Sequence, residues 1–403
     1  MSVPSLLQYV GSTCTGMSPL TVANTSLSDM PQDQTSSEVN LNDEAIAVTF
    51  DNGSRLPSLE FSSETVSAAA AATYGWAWHP IVWSPWTVME LGCAILGMAG
   101  NGVVILVVFK RRNANRSTDI LIGALAWADF FTSLFIVPWP EASLVPNSLL
   151  GHIYCKIMYP SVLKWASISA SIYTLVGISL DRYLAIVFPL KFTRIVTKGR
   201  LTVCIITSWT VILAVTLCEC VFPARFDESL QNCVYDYGSR AAQLSYGCFV
   251  FIYRLVFPAL TMFITQLLIA SSLYRQSKRF NKVDSSRTTG SAAHLVARDR
   301  VIKMMLLVII IYVICWGPNQ LFFMGINLRI IPFTFFDTPL HRFLTLLAFM
   351  NSCANPLIYA ARHPQFRVAV RELFVFGVST NVPVFGDGEQ SDESQQTDLS
   401  TVA

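Results

Sequence analysis

Seven runs of about 20 predominantly apolar residues divide this chain, and each is long enough to cross about 30 Å of hydrocarbon as an α-helix. They lie near Trp86 to Phe109, Ile120 to Trp139, Ile153 to Tyr183, Leu201 to Phe222, Tyr246 to Leu273, Val301 to Phe323 and Phe343 to Ala361. Inside lipid every backbone polar group needs an internal partner, so a chain crosses as helices or as a closed barrel. Runs of this length select helices. Only 13% of the 403 residues are charged, about half of the ~25% usual in a soluble domain. The expected fold is an all-α membrane protein, a seven-transmembrane helix bundle, and an odd number of crossings puts the two ends of the chain on opposite sides.

Orientation follows from lysine and arginine, which concentrate on the cytoplasmic side of span ends. Lys110, Arg111, Arg112 and Arg116 follow the first span, Lys191, Arg194, Lys198 and Arg200 the third, and Arg275, Lys278, Arg279, Lys282 and Arg287 the fifth. The segment before Trp86 carries acids at eight positions, from Asp29 to Glu64, against Arg55 alone, and is expected outside. Four parts result: an acidic, disordered extracellular tail over 1–85, the bundle over 86–362, a membrane-surface helix over 363–374, and a disordered cytoplasmic tail over 375–403. No charged leader with an apolar core opens the sequence, so the first span is expected to direct its own insertion. The outer tail holds glycosylation sequons at Asn24 and Asn52.

Most of the ten cysteines fall inside spans, where they read as packing residues. Cys155 opens the third span on the outer side and Cys233 sits in the outer loop after the fourth. An oxidising exterior predicts a bridge between them.

A polar side chain within a span is costly unless it is paired, solvated or turned into the bundle. Asp129 lies mid-span in "ALAWADFFTSLF", with Asn101, Ser171, Asn351 and Asn355 at similar depth. Either Asp129 is a lone buried acid held neutral, or the group lines a hydrated pocket for a small cation. Lys164 interrupts the apolar stretch "PSVLKWASISAS", Glu219 lies on the fourth span and Arg254 on the fifth.

Three motifs in order, "SLDRYLAIVFPLKF", "CWGP" and "NPLIY", together with Asn101, Asp129, Trp209 and Pro258 on spans one, two, four and five, resemble the rhodopsin-like G-protein-coupled receptors. The resemblance covers about Trp86 to Phe374. It implies a plasma-membrane receptor that binds an agonist outside and activates a heterotrimeric G protein inside, and it implies no enzyme activity. By the same matching, Asp181, Arg182, Tyr183, Pro258, Trp316, Pro318 and Tyr359 are activation switches. Arg182 is a permanent cation with a rigid donor fork that the adjacent Asp181 can hold at rest. Pro258, Pro318 and Pro356 each remove a backbone hydrogen bond and permit a kink. Asp129, Ser171, Asn351, Ser352 and Asn355 fall on the family's sodium pocket, so an allosteric sodium ion is the sole cofactor implied. Pro189 and Leu190 match the G-protein contact of the second inner loop. Ser391, Ser394, Thr397 and Ser400, at three-residue spacing amid acids, resemble a site for receptor kinases and arrestin; a plain solvated tail is the alternative.

The sequence departs from the family at Gln266, where a tyrosine is usual, at Tyr312, where phenylalanine is usual, and at Arg298, where some members carry an acid. Beyond the seventh span, Phe366, Val370, Leu373 and Phe374 are spaced for one helical face, which predicts a short amphipathic eighth helix on the membrane lipid.

Amine receptors carry an aspartate eighteen residues before the arginine of the third-span motif, and here that position is Lys164. At about 3.6 residues per turn this is five turns and about 27 Å of helix, so Lys164 shares the inward face of Arg182. An amine ligand is disfavoured. The pattern around "SISASIYTLVGISLDRY" resembles neuropeptide receptors of the orexin, cholecystokinin, galanin and tachykinin kind. Lys164, Trp165, Glu219, Arg254, Gln320, Phe323, His341 and Thr345 are the expected ligand-binding residues. For Lys164 three readings stand together: it meets a peptide carboxylate or carbonyl, it pairs with Glu219, or it snorkels to the interface. From Cys155 to Arg182 is 27 residues, two more than the family spacing, and a bulge or kink beside Pro160 is expected to absorb them.

A small non-peptide ligand with an anionic group is an alternative to a peptide. A transporter would use the same buried charges, but no internal repeat accompanies them. Five histidines fall at no metal spacing, no glycine loop cradles phosphate, and no nucleic-acid partner is expected.

Overall fold

A computed structural model of the chain describes residues 75–110, 116–283, 289–336 and 338–375. Among them, seven helices are long and apolar enough to cross a membrane. These are α1 (Pro85–Lys110), α2 (Ser117–Phe135), α3 (Leu149–Val187), α4 (Lys198–Val221), α5 (Arg240–Gln276), α6 (Leu306–Asn327) and α7 (Pro339–Arg362). A further helix, α8 (Pro364–Val375), follows directly. The sequons at Asn24 and Asn52, the tail residues Ser391, Ser394, Thr397 and Ser400, and the side chain of Arg298 lie outside what is described.

Local signals set the helix ends. Thr197, Ser239 and Thr338 each cap a first turn through the side-chain oxygen, on Arg200 N (3.4 Å), Ala242 N (3.2 Å) and His341 N (3.4 Å). Sequence periodicity extends the second span to Trp139, whereas α2 stops at Phe135. Pro138 is the reason, because it brings no N–H and bars the helical conformation from the residue before it.

The third span starts earlier than its apolar run and is not one continuous helix. Leu149–Ile153 is helical, Tyr154–Met158 forms a π turn, and regular helix resumes at Val162. Between them Ser161 adopts φ 55°, a left-handed conformation uncommon outside glycine. The two surplus residues above Lys164 are taken up here, by a wide turn and a break beside Pro160. The fifth span carries a second π turn, Ile252–Val256, immediately before Pro258.

The bundle differs from a soluble protein on its outside rather than in its core. Val104, Leu125, Ile168, Ile172, Met262 and Tyr312 are fully buried where α1, α2, α3, α5 and α6 meet. The outward faces are equally apolar, with Ile206, Leu321 and Leu357 mostly exposed. Close approach of helices, rather than hydrophobic contrast with lipid, then holds the bundle together. Gly97 on α1 shows this directly: a Cβ there would lie 2.1 Å from Ser133 Oγ on α2.

Two small antiparallel sheets cover one end, an addition that apolar runs do not announce. β1 (Ala77–Trp78) pairs with β2 (Ala142–Leu144), and β3 (Ala224–Asp227) pairs with β4 (Asn232–Tyr235). The predicted Cys155–Cys233 disulfide is present, bridging the start of α3 to β4. Trp76 packs at this cluster, 5.3 Å edge-on from Tyr154, and the Tyr154 hydroxyl accepts from Ala142 N (3.0 Å). In the β3–β4 turn Asp227 Oδ1 accepts from Ser229 Oγ (2.6 Å), Ser229 N (2.9 Å) and Leu230 N (3.2 Å). These donors hold its carboxyl below the usual range, so their support of the turn is lost as pH falls through that lowered value.

Candidate functional site

Three polar clusters interrupt the apolar bundle, one at each end and one at mid-depth. Opposite the disulfide, near the C-terminal end of α3, Arg182 is buried. Its Nη2 donates to Asp181 Oδ2 at 2.7 Å and its Nε to the same oxygen at 3.2 Å. A third donor contact runs from Nη2 to Thr118 Oγ1, in the first turn of α2. Asp181 therefore holds Arg182 as its position suggested, but Thr118 completes the cage and no spacing in the sequence pointed to it. Beyond Phe188, Pro189 opens a short helix, Pro189–Ile195, and Leu190 is 85% exposed. Tyr183 stands edge-on to Phe188 (5.9 Å), and Tyr359 is buried beside Phe366 of α8 (6.1 Å).

At mid-depth Asp129 is completely buried. Ser171 Oγ donates to its Oδ1 at 2.7 Å and Asn355 Nδ2 to its Oδ2 at 2.8 Å. Ser352 and Asn351 are buried on the same helix as Asn355, and Asn101 Nδ2 donates to the backbone oxygens of Ser352 and Gly97 (both 2.9 Å). Asn101 Oδ1 is buried without a hydrogen-bond partner among the described residues. Hydroxyl, amide and carboxylate oxygens around one acid are the donor set a hard cation takes, so the residues fit a sodium ion chemically.

The proline of α5 has a specific consequence. Pro258 brings no N–H, so the π turn before it is short of one backbone donor. The hydroxyl of Tyr312 on α6 donates to the carbonyl of Arg254 in that turn. Tyr173 on α3 donates to the neighbouring carbonyl of Tyr253 at 3.2 Å. The departure at Tyr312 from the usual phenylalanine thus gives this turn a donor that phenylalanine lacks. Trp316 is buried in the same core as Tyr312 and Ile172. Gln266, the other departure, is buried on α5 with neither side-chain polar atom bonded among the described residues.

At the disulfide end the charges sort differently from the sequence expectation. Glu219 pairs with Arg254, not with Lys164: Arg254 Nη2 lies 2.8 Å from Glu219 Oε1, with both side chains almost fully buried. Arg254 also stacks on Trp165, 4.3 Å from the ring centroid. The partner is decided by α5, whose π turn sets the direction of Arg254 one turn above Pro258. Lys164 is half-buried and has no salt bridge among the described residues. It feels Glu141, which follows α2, and Glu90 on α1, and Glu90 in turn feels Arg342 on α7. Glu90 belongs to no family motif and lies near the start of its span, and a lone acid in the second turn of a crossing helix is the sequence signal that marks it. Gln320 is buried, Phe323 meets Tyr246 edge-on (6.4 Å), Asn319 Nδ2 donates to Thr345 Oγ1 (3.4 Å), and His341 lies between Phe322 (5.2 Å) and Phe336 (5.0 Å).

Comparison with known proteins agrees with this layout. Residues 100–359 match the family model described as 7 transmembrane receptor (rhodopsin family). Similar curated proteins include the allatostatin-A receptor of Bombyx mori, 28% identical over 69% of this chain and 76% of that one. The substance-P receptor of Aquarana catesbeiana is 25% identical over 72% and 70%. Among solved structures, squid rhodopsin superposes with a TM-score of 0.58 at 20% identity, covering 80% of this chain and 96% of that one, a likeness of fold.

Proposed function

The chain belongs to the rhodopsin family of seven-transmembrane receptors, and from that premise we propose that it is a plasma-membrane receptor for an extracellular neuropeptide, transmitting to a heterotrimeric G protein. In this reading the disulfide end faces outside and the Arg182 end faces the cytoplasm, where Pro189 and the exposed Leu190 meet the G protein. Helix α8 lies along the membrane surface through Phe366, Val370 and Leu373. Phosphorylated Ser391, Ser394, Thr397 and Ser400 recruit arrestin. Relatives whose names denote peptide receptors support the ligand class.

The observation that carries the reading is Lys164: a half-buried cation on the inward face, with no salt bridge among the described residues, at the level where an amine receptor would need an acid. It is suited to a peptide carboxylate or carbonyl, with Trp165, Gln320, Phe323, His341 and Thr345 as surrounding contacts and Glu219 as the counter-ion that keeps Arg254 in place. A small anionic ligand is the second reading, on the same lysine. A G-protein activation screen against a neuropeptide library, with amines and lipid acids as controls, tests both. With the active peptide in hand, Lys164→Ala is expected to lower potency by about 10- to 100-fold, the size of a charge-assisted hydrogen bond, with surface expression unchanged. Unchanged potency rejects Lys164 as a contact.

The link from Tyr312 to the Arg254 carbonyl ties α6 to the ligand-side turn of α5 at rest. Tyr312→Phe removes one hydroxyl and with it the bond to that carbonyl, a loss of about 0.5 to 1.5 kcal/mol. The expected result is raised ligand-independent G-protein activation at equal receptor number. Basal activity equal to wild type means the bond does not hold the resting arrangement.

A further inference from the structure

Two of the cysteines that the apolar pattern reads as packing residues meet across a helix interface. Cys93 lies on α1 and Cys353 on α7, both half-buried and neither in the disulfide. Cys353 Sγ donates to the backbone oxygen of Cys93 at 3.1 Å, and the two thiols interact directly with one another. That bond turns the Cys353 side chain towards α1.

Small residues on α1 make room for the approach. Gly97 follows Cys93 by one turn, and a Cβ there would lie 3.3 Å from Cys353 Sγ. Three residues further on, a Cβ at Gly100 would lie 3.0 Å from Pro356 Cβ on α7. Asn101 Nδ2 then reaches the backbone oxygen of Ser352 at 2.9 Å. Glycines on one face of α1 thus let the two backbones come close, as helices in lipid do where side chains are small. A disulfide needs β-carbons about 3.5 to 4.5 Å apart, a separation open only to helices packed this closely.

We propose that Cys93 and Cys353 form a redox modification site, a dithiol that hydrogen peroxide converts to a disulfide between α1 and α7. Hydrogen peroxide is small and uncharged, so a half-buried position within a membrane span is open to it. One thiolate attacks the peroxide, the O–O bond breaks, and a sulfenic acid and water form. The second thiol attacks the sulfenic sulfur, the S–S bond forms, and a second water leaves with the remaining thiol proton. The pair gives up two electrons and the peroxide takes them. The new bond staples α1 to the turn of α7 that carries Ser352 and Asn355, beside Asp129, and so restrains α7 in the arrangement described above.

The test needs neither the peptide nor a G protein. Full-length receptor in phosphatidylcholine nanodiscs, its free thiols reduced, is treated with hydrogen peroxide, unfolded in N-ethylmaleimide, digested and mapped by mass spectrometry. The expected product is a cross-linked pair of peptides carrying Cys93 and Cys353, lighter by two hydrogens than the separate peptides. It is expected at a peroxide dose that leaves the exposed Cys204 and Cys218 free for maleimide. Oxidation is also expected to raise the unfolding midpoint by about 5 °C, the size of one added cross-link in a chain of this length. Cys93→Ser is expected to abolish the cross-link and the shift while its reduced form melts as the wild type does. Cys93 and Cys353 both alkylated after oxidation, Cys353 joined to Cys315 of α6 instead, or an oxidised Cys93→Ser receptor whose midpoint rises by the wild-type amount each overturns the proposal.

Discussion

Replacing Arg254 with methionine is expected to destabilise the receptor by about 3 to 5 kcal/mol, because it leaves Glu219 charged, buried and uncompensated. The side chains of the pair are 3% and 2% exposed, so solvent screening does not soften the loss. Contact with the face of Trp165 is lost as well. The informative comparison is the double variant Arg254→Met with Glu219→Leu, which removes both charges and is expected to recover most of the stability. Unfolding midpoints of purified receptor, read for the two single variants and the double, give the coupling. If Arg254→Met is no less stable than the double variant, the pair is not the constraint that its burial indicates.

Sodium is expected to raise the unfolding midpoint of the wild-type receptor relative to an equal concentration of choline, and Asp129→Asn is expected to abolish the difference. Asp129 is wholly buried and receives hydrogen bonds from neutral groups, Ser171 and Asn355 among them. These orient the carboxylate without neutralising it. A monovalent cation bound among these oxygens would supply the missing charge and stabilise the folded state by mass action. Such a cation would tie α2, α3 and α7 together, so sodium is also expected to lower agonist affinity by about 5- to 10-fold, the lower range of allosteric coupling. A sodium response that survives Asp129→Asn would remove Asp129 from the site; no sodium response in the wild type would leave the cluster a purely structural one.

Parts of the site were legible in the sequence because their chemistry is local. Arg182 and Asp181 are neighbours in the chain, and their contact follows from adjacency. Asp129, Ser171 and Asn355 were placed by matching to family motifs, and their meeting reflects a fold that the same motifs imply. The disulfide was legible because two cysteines lie at the same end of an otherwise apolar pattern. Thr118, Glu90 and the role of Tyr312 were not legible in this way. Each acts across the gap between two helices, Thr118 on Arg182, Glu90 on Lys164 and Tyr312 on the Arg254 carbonyl. A rotation of either helix by one residue, about 100°, would undo any of them without changing the apolar pattern.

Seven helical crossings of the membrane follow from the amino-acid order alone, since transfer of each run from water to lipid is a sum over nearby residues and needs no knowledge of the rest. Which residue types interrupt that pattern, and roughly how deep they lie, follow from it too. Their partners follow from how the helices pack. Two π turns, at Tyr154–Met158 and Ile252–Val256, and a left-handed Ser161 reset the rotation of α3 and α5. The second of them aims Arg254 at Glu219, and Lys164 is left as the inward cation of its helix with no salt bridge among the described residues. Pairing of buried charges depends on angle and ångström-scale distance between separate helices, and a one-residue change of winding is enough to alter it.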